Sequence, residues 1–255
     1  MKEYLDEKSK CQRICEIMTE DSDFLEACKA FNCAKVKEFL DEGVDINVRV
    51  YGYFALKNAV RLRKHKDGGC CEEGLPDLQL LEILLACPSI DVNNKDDIGR
   101  TALMQACYRQ NQKAVETLLR VQGLDINHCD HNGTTALIIA SSVVGSEDTV
   151  EVLLAAPGID SNCQDKRGRT AMMFAVHLPN SAELIKVFVH HDGINWNMKD
   201  RNGRDVFTMA LNCPNINFDL ISCLLSIPSL RPDVSLDATI DTGENGRQIN
   251  HSLKR

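Results

Sequence analysis

Residues 96–129 read DDIGRTALMQACYRQNQKAVETLLRVQGLDINHC, residues 130–164 read DHNGTTALIIASSVVGSEDTVEVLLAAPGIDSNCQ, and residues 165–199 read DKRGRTAMMFAVHLPNSAELIKVFVHHDGINWNMK. The three stretches align almost without gaps, and a fourth opens at Asp200. Their opening aspartates stand 34, 35 and 35 residues apart, and Gly99, Gly133, Gly168 and Gly203 keep the same steps. Self-similarity at one fixed period marks a stack of supersecondary units, none of which can bury its apolar face alone.

Each unit carries its own local instructions. Asp-x-x-Gly is turn chemistry, with glycine supplying the positive φ of a tight turn. Thr101, Thr135 and Thr170 follow at the position of a helix N-cap, whose hydroxyl accepts from free backbone N–H groups. A helix of small residues comes next (TALMQAC, TALIIAS), and its alanines let a neighbouring helix approach closely. Val115, Leu118 and Leu119, and then Val150, Leu153 and Leu154, repeat at helical period and predict a second helix with one apolar stripe. The closing Gly-x-Asp-Ile-Asn is expected to end that helix at glycine and to return the chain through an extended hairpin.

These features resemble the ankyrin-repeat family over residues 24–235. The resemblance implies an all-α solenoid of about six helix-turn-helix units joined by β-hairpin loops. The family's Thr-Pro-Leu-His stands here as Thr101-Ala102-Leu103-Met104, Thr135-Ala136-Leu137-Ile138 and Thr170-Ala171-Met172-Met173. Losing the histidine removes an inter-repeat hydrogen bond, so these units are expected to lean on apolar contact. The expected units are 24–48, 49–95, 96–129, 130–164, 165–199 and 200–235. The second is lengthened by an insertion at 64–76, KHKDGGCCEEGLP, which contains no face to bury and should loop out. The sixth has Asp205 where its neighbours have threonine, an atypical form that suits a capping repeat. Residues 1–23 read as an amphipathic lid, and the polar, turn-rich stretch 236–255 as a disordered tail.

Composition narrows the chemistry. With 29 Lys and Arg against 37 Asp and Glu, the net charge of −8 repels a polyphosphate backbone and argues against nucleic acid. No apolar run reaches the ~18 residues of a membrane helix, and the first residues, MKEYLDEKSKCQRIC, lack a signal peptide's apolar stretch. Twelve cysteines scattered through helical patterns read as reduced intracellular thiols rather than a disulfide scaffold. A monomer in the cytoplasm or nucleus is the expectation.

Nothing in the pattern suits catalysis: there is no phosphate-cradling glycine loop, nucleophile elbow or carboxylate dyad. His128-Cys129-Asp130-His131 with Cys163 offers ligand types for zinc but no Cys-x-x-Cys pair, and solvated loop polarity explains it better. Cys70 and Cys71 lie beside Glu72 and Glu73, which disfavour the thiolate. Cys11 and Cys15 share a helix face as apolar contacts. No cofactor and no metal is expected.

Function therefore rests on surface. The resemblance places Asp97, Ile98, Arg100, Tyr108, Arg109, His131, Asn132, Thr134 and Ser142 along a concave face. Lys166, Arg167, Arg169 and His177 continue it, followed by Arg201, Asn202, Arg204 and Asn212. Seven of these are Arg or Lys and one, Asp97, is acidic, so an acidic protein should present a basic inner face. An adaptor or regulatory binder recognising an acidic or phosphorylated segment of another protein is the leading expectation. The alternatives are an inhibitor that masks a transcription factor or signalling protein, and a regulatory piece of an enzyme. The resemblance also implies oxygen-dependent hydroxylation at Asn93 and Asn127, weighed against a hairpin-capping role for both.

Overall fold

Period and turn chemistry together produce two layers of short helices. The computed structural model describes residues 20–61, 75–179, 181–213 and 218–227, and nothing below concerns the remainder. In chain order α1 covers 20–29, followed by α2 Cys33–Asp41, α3 Ala55–Ala59, α4 Leu75–Leu85, α5 Ala102–Tyr108 and α6 Gln112–Leu119. Then come α7 Ala136–Ala140, α8 Glu147–Leu154, α9 Ala171–Ala175, α10 Ala182–Val189, α11 Val206–Leu211 and α12 Phe218–Leu225. The first helices of successive units, α3, α5, α7, α9 and α11, stack into one layer. The second helices, α2, α4, α6, α8, α10 and α12, stack into the other.

The core runs unbroken between the layers, through Leu56, Leu84, Leu103, Leu118, Leu137, Leu153, Met172, Phe188 and Met209. Met104, Ile138 and Met173, which stand where the family keeps histidine, are all buried, as the expected reliance on apolar contact requires. Thr101 and Thr135 cap α5 and α7 by accepting from the backbone N–H three residues on, and Asp205 does the same for α11. Thr170 holds the equivalent place without such a bond, and its buried hydroxyl has no partner.

Units are tied to one another by a ladder of asparagines. The carboxamides of Asn47, Asn93, Asn127 and Asn162 each donate to a carbonyl of the next unit, at Ser89, Gly123, Gly158 and Gly193. Each also accepts from a backbone N–H of that unit, at Asp91, Asp125, Asp160 and Asn195. All eight bonds measure 2.7 or 2.8 Å. One side chain thus satisfies one orphan group of each polarity across each of these four joints.

Several boundaries differ from expectation. Residues 20–23 are already helical, so α1 crosses the expected limit between lid and first unit. Leu75 and Pro76 belong to α4 rather than to the insertion, because proline is tolerated in a first helical turn. The remaining insertion residues, the lid before residue 20 and the tail lie outside the described residues. The second helices stop before their glycines: α6 is capped at Arg120, and Gly123 serves the following turn at φ +79°. Among the described residues the hairpin arms form only two isolated bridges, Val50 with Tyr53 and Lys95 with Thr101. Side-chain bonds hold the arms where a longer ladder was expected.

Candidate protein-binding surface

The tips of the hairpins are built around four buried aspartates. Asp96, Asp130, Asp165 and Asp200 each accept at Oδ1 from the backbone N–H groups two and four residues on, at 2.8–3.2 Å. Neighbouring tips are then stitched by backbone bonds. His131 N–H donates to the Ile98 carbonyl, Lys166 to Asn132, and Arg201 to Arg167, at 3.0, 2.9 and 2.9 Å. The tip residues therefore form one continuous row, and their side chains are displayed at a fixed spacing.

A buried carboxylate needs a counter-charge, and this requirement consumes part of the expected basic face. Arg169 donates from Nε and Nη2 to Asp165 Oδ2 at 2.9 and 2.7 Å. Arg204 does the same to Asp200 at 3.0 and 2.8 Å. Unit four has Thr134 at this position, so Asp130 draws Arg100 from the preceding unit, with Nε 3.5 Å from Oδ2. Asp96 is served in turn by Lys57 Nζ at 2.9 Å. Pairing runs between units on one side of Thr134 and within units on the other. Arg100, Arg169 and Arg204 keep some exposure, 29%, 30% and 45% of the side chain, but a partner must compete with a buried aspartate for each.

Lys166, Arg167 and Arg201 differ. All three are exposed, and among the described residues none of them takes part in an ion pair. His131 and Asn132 are exposed on the same row, and His177 in the turn after α9. At the other end Ile98, Tyr108 and Arg109 are exposed, with the Arg109 guanidinium 5.7 Å from the Tyr108 ring centre. Two aromatic residues escaped the sequence reasoning. Tyr51 is 90% exposed and Tyr53 47%, in a tip where Tyr-Gly-Tyr replaces Asp-x-x-Gly. The signal was Gly52, which holds φ +70° as the other tip glycines do.

Burial raises the Asp96 carboxyl, but the Lys57 ammonium and the Arg100 and Ile98 N–H groups outweigh it and hold the group below its ordinary value. A depressed folded pKa contributes stability above the unfolded value, near 3.9, and loses it as pH falls through the folded value. The urea midpoint should therefore drop between pH 4 and pH 2.5. Asp96→Asn should start lower at pH 7 and lose less over that interval, and an equal loss in both proteins would refute the assignment.

The ligand types weighed for zinc are otherwise engaged. His128 Nε2 lies 3.1 Å from the Gly99 carbonyl, and the Cys163 thiol donates to Asp160 at 3.3 Å. Burial, then Asp160, pushes Cys163 up to about 12. Cys129 is raised by burial and by Asp125, Asp130 and Asp160. Among the described residues no cluster of three or more potential ligands forms. Cys11, Cys15, Cys70 and Cys71 lie outside those residues. Asn93 and Asn127 are the middle rungs of the asparagine ladder, with carboxamides bonded to the next unit rather than to neighbouring backbone groups.

Comparison with known proteins agrees with this architecture. Residues 69–165 match the family model described as ankyrin repeats in three copies. Among solved structures, the crystal structure of EF0377, an ankyrin repeat protein, superimposes with a TM-score of 0.66 at 23% identity. The match covers 80% of this chain and 96% of that one. No curated protein matches the sequence. In all, 443 solved chains match the structure, so fold alone selects no partner.

Proposed function

We propose that the chain is an ankyrin-repeat protein and that it serves as a non-enzymatic adaptor or regulatory binder that recognises an acidic or phosphorylated segment along its row of hairpin tips. Ankyrin repeats are in general protein interaction modules, typically without catalysis, and a rigid stack exposes a wide surface at little ordering cost. The observation that carries the reading is the trio Lys166, Arg167 and Arg201, exposed on adjacent tips and, among the described residues, without ion pairs. The protein as a whole carries a charge of −8, which disfavours a nucleic acid backbone at the same row. No helix among the described residues is long and apolar enough to cross a membrane. Work as a monomer in the cytoplasm or nucleus belongs to the same proposal.

Charge reversal separates this trio from Arg100, Arg169 and Arg204, the arginines that follow the turn glycines. Lys166→Glu, Arg167→Glu and Arg201→Glu together should weaken partner capture at least tenfold, because no structural bond is broken. Arg169→Gln with Arg204→Gln should lower stability while leaving capture by the folded fraction within about threefold. Quantitative affinity purification alongside thermal denaturation reads both. Unchanged partners in the triple variant would end the acidic-segment proposal.

Hydroxylation of Asn93 or Asn127 stays part of the proposal on the strength of the resemblance. Each carboxamide makes two bonds across a joint, so the modifying enzyme would need the hairpin to open first.

A further inference from the structure

The tip row changes character along its length. The two residues at each tip are Tyr51-Gly52, Asp97-Ile98, His131-Asn132, Lys166-Arg167 and Arg201-Asn202. Tyr51 and Ile98 stand with Asp97 at one end, His131 and Asn132 in the middle, and cations at the other end.

Charged side chains join the groups at the first end, where Arg49 pairs with Asp97 at 3.3 Å. The Tyr53 ring receives the Lys57 ammonium at 4.9 Å, and Lys57 also bonds the Gly52 carbonyl and Asp96. The Tyr51 tip abuts the next unit closely enough that a Cβ on Gly52 would lie 2.4 Å from Asp97 Oδ2. Tyr108 closes the patch, 6.0 Å from the Arg100 guanidinium. Tyr51, Tyr53, Ile98 and Tyr108 are all about half exposed or more. Tyr51 moreover sits at φ +50°, a region costly for a bulky L-residue, and such strain gathers at working surfaces. Tyrosine beside arginine is the composition of an interface hot spot.

We infer that the partner segment is bipartite: an aromatic or branched aliphatic anchor seats on Tyr51, Tyr53, Ile98 and Tyr108, and a run of carboxylates lies across Lys166, Arg167 and Arg201. The inference rests on the proposed acidic-segment reading and adds a second, apolar subsite to it. Carboxylates in a run fit better than one phosphate, because the cations are spread over two adjacent tips rather than gathered on one point. Helix layers step roughly 8–10 Å per unit, so two steps from Ile98 to Lys166 span about 16–20 Å. An extended chain covers that in about six residues at ~3.3 Å each. The anchor and the acidic run are thus separated by about six residues. Binding both subsites through one short linker raises affinity by effective concentration alone.

Synthetic peptides carrying Leu-Phe and a run of four glutamates, joined by six Gly and Ser residues and made in both orders, provide the probe for calorimetry with the full chain. The better order should bind at least thirtyfold tighter than either half, and tighter than versions with a two-residue linker. Tyr51→Gly relieves the backbone strain, so the variant should be at least as stable as the wild type yet lose at least fivefold in affinity for the joined peptide. It should bind the glutamate half as before. If Tyr51→Gly and Tyr108→Ala bind the joined peptide normally while the Lys166, Arg167 and Arg201 reversal abolishes binding, the bipartite inference fails and the acidic reading stands. If the reversal also has no effect, both fail. A phosphoserine run that binds more tightly than glutamate overturns the carboxylate assignment, and an oligothymidylate that outcompetes the joined peptide overturns the choice of a protein partner.

Discussion

Replacing Asn93 and Asn127 together by alanine should lower the unfolding free energy by roughly 2–6 kcal/mol, four hydrogen bonds at about 0.5–1.5 kcal/mol each. The bonds are those to Gly123, Asp125, Gly158 and Asp160, all 2.7–2.8 Å long. Alanine removes donor and acceptor from each joint at once and leaves two backbone groups per joint to find water. In a stack whose stability is a sum of unit and nearest-neighbour contributions, weakening two successive joints also reduces cooperativity. The urea transition should therefore move to lower concentration and become broader, with a smaller slope. Either single variant should give about half the shift, because the two joints share no partner. A double variant within 0.5 kcal/mol of the wild type would show that water replaces the carboxamides without loss.

That ladder also marks how far residue patterns carry. The period, the threonine caps and the asparagine at the end of each hairpin could all be read because each is a local instruction, repeated at a fixed interval and needing no knowledge of the neighbours. The direction of the asparagine bonds into the next unit is not local, and no pattern announces it. The ion pairs show the same limit more sharply. Arg100, Arg169 and Arg204 occupy one place in the repeat, yet Arg100 turns to the following unit because Asp96 is already served by Lys57 and Asp130 faces Thr134. Counting charges gave seven cations, and only geometry separates those held by buried aspartates from Lys166, Arg167 and Arg201. Tyr51 and Tyr53 were missed because the second unit lacks the Asp-x-x-Gly that located the other tips. Their turn had to be recognised by its conformation.

Gly168→Ala should, like Gly133→Ala, be among the most damaging single methyls in the described residues, costing about 3 kcal/mol, and a comparison with Gly158→Ala separates its two causes. Both glycines have positive φ, +76° and +81°, so alanine at either position meets roughly 1 kcal/mol of backbone strain. At Gly158 the added carbon finds nothing within 4 Å. At Gly168 it would stand 2.9 Å from the Arg201 backbone nitrogen and 3.2 Å from the Asp200 carbonyl carbon and Cα. Those are backbone atoms of the next tip, themselves pinned by the Arg201 to Arg167 bond and by the Asp200 turn, so no rotamer change relieves the contact. The two tips must move apart, breaking the stitch that sets the spacing of Lys166, Arg167 and Arg201. Gly158→Ala should accordingly shift the urea midpoint slightly and leave peptide binding intact. Gly168→Ala should shift it about three times as far and weaken binding of the glutamate run even where the protein is fully folded. Equal shifts for the two substitutions would mean that the tips are not in the close register described, and the row of cations could not then act as one surface.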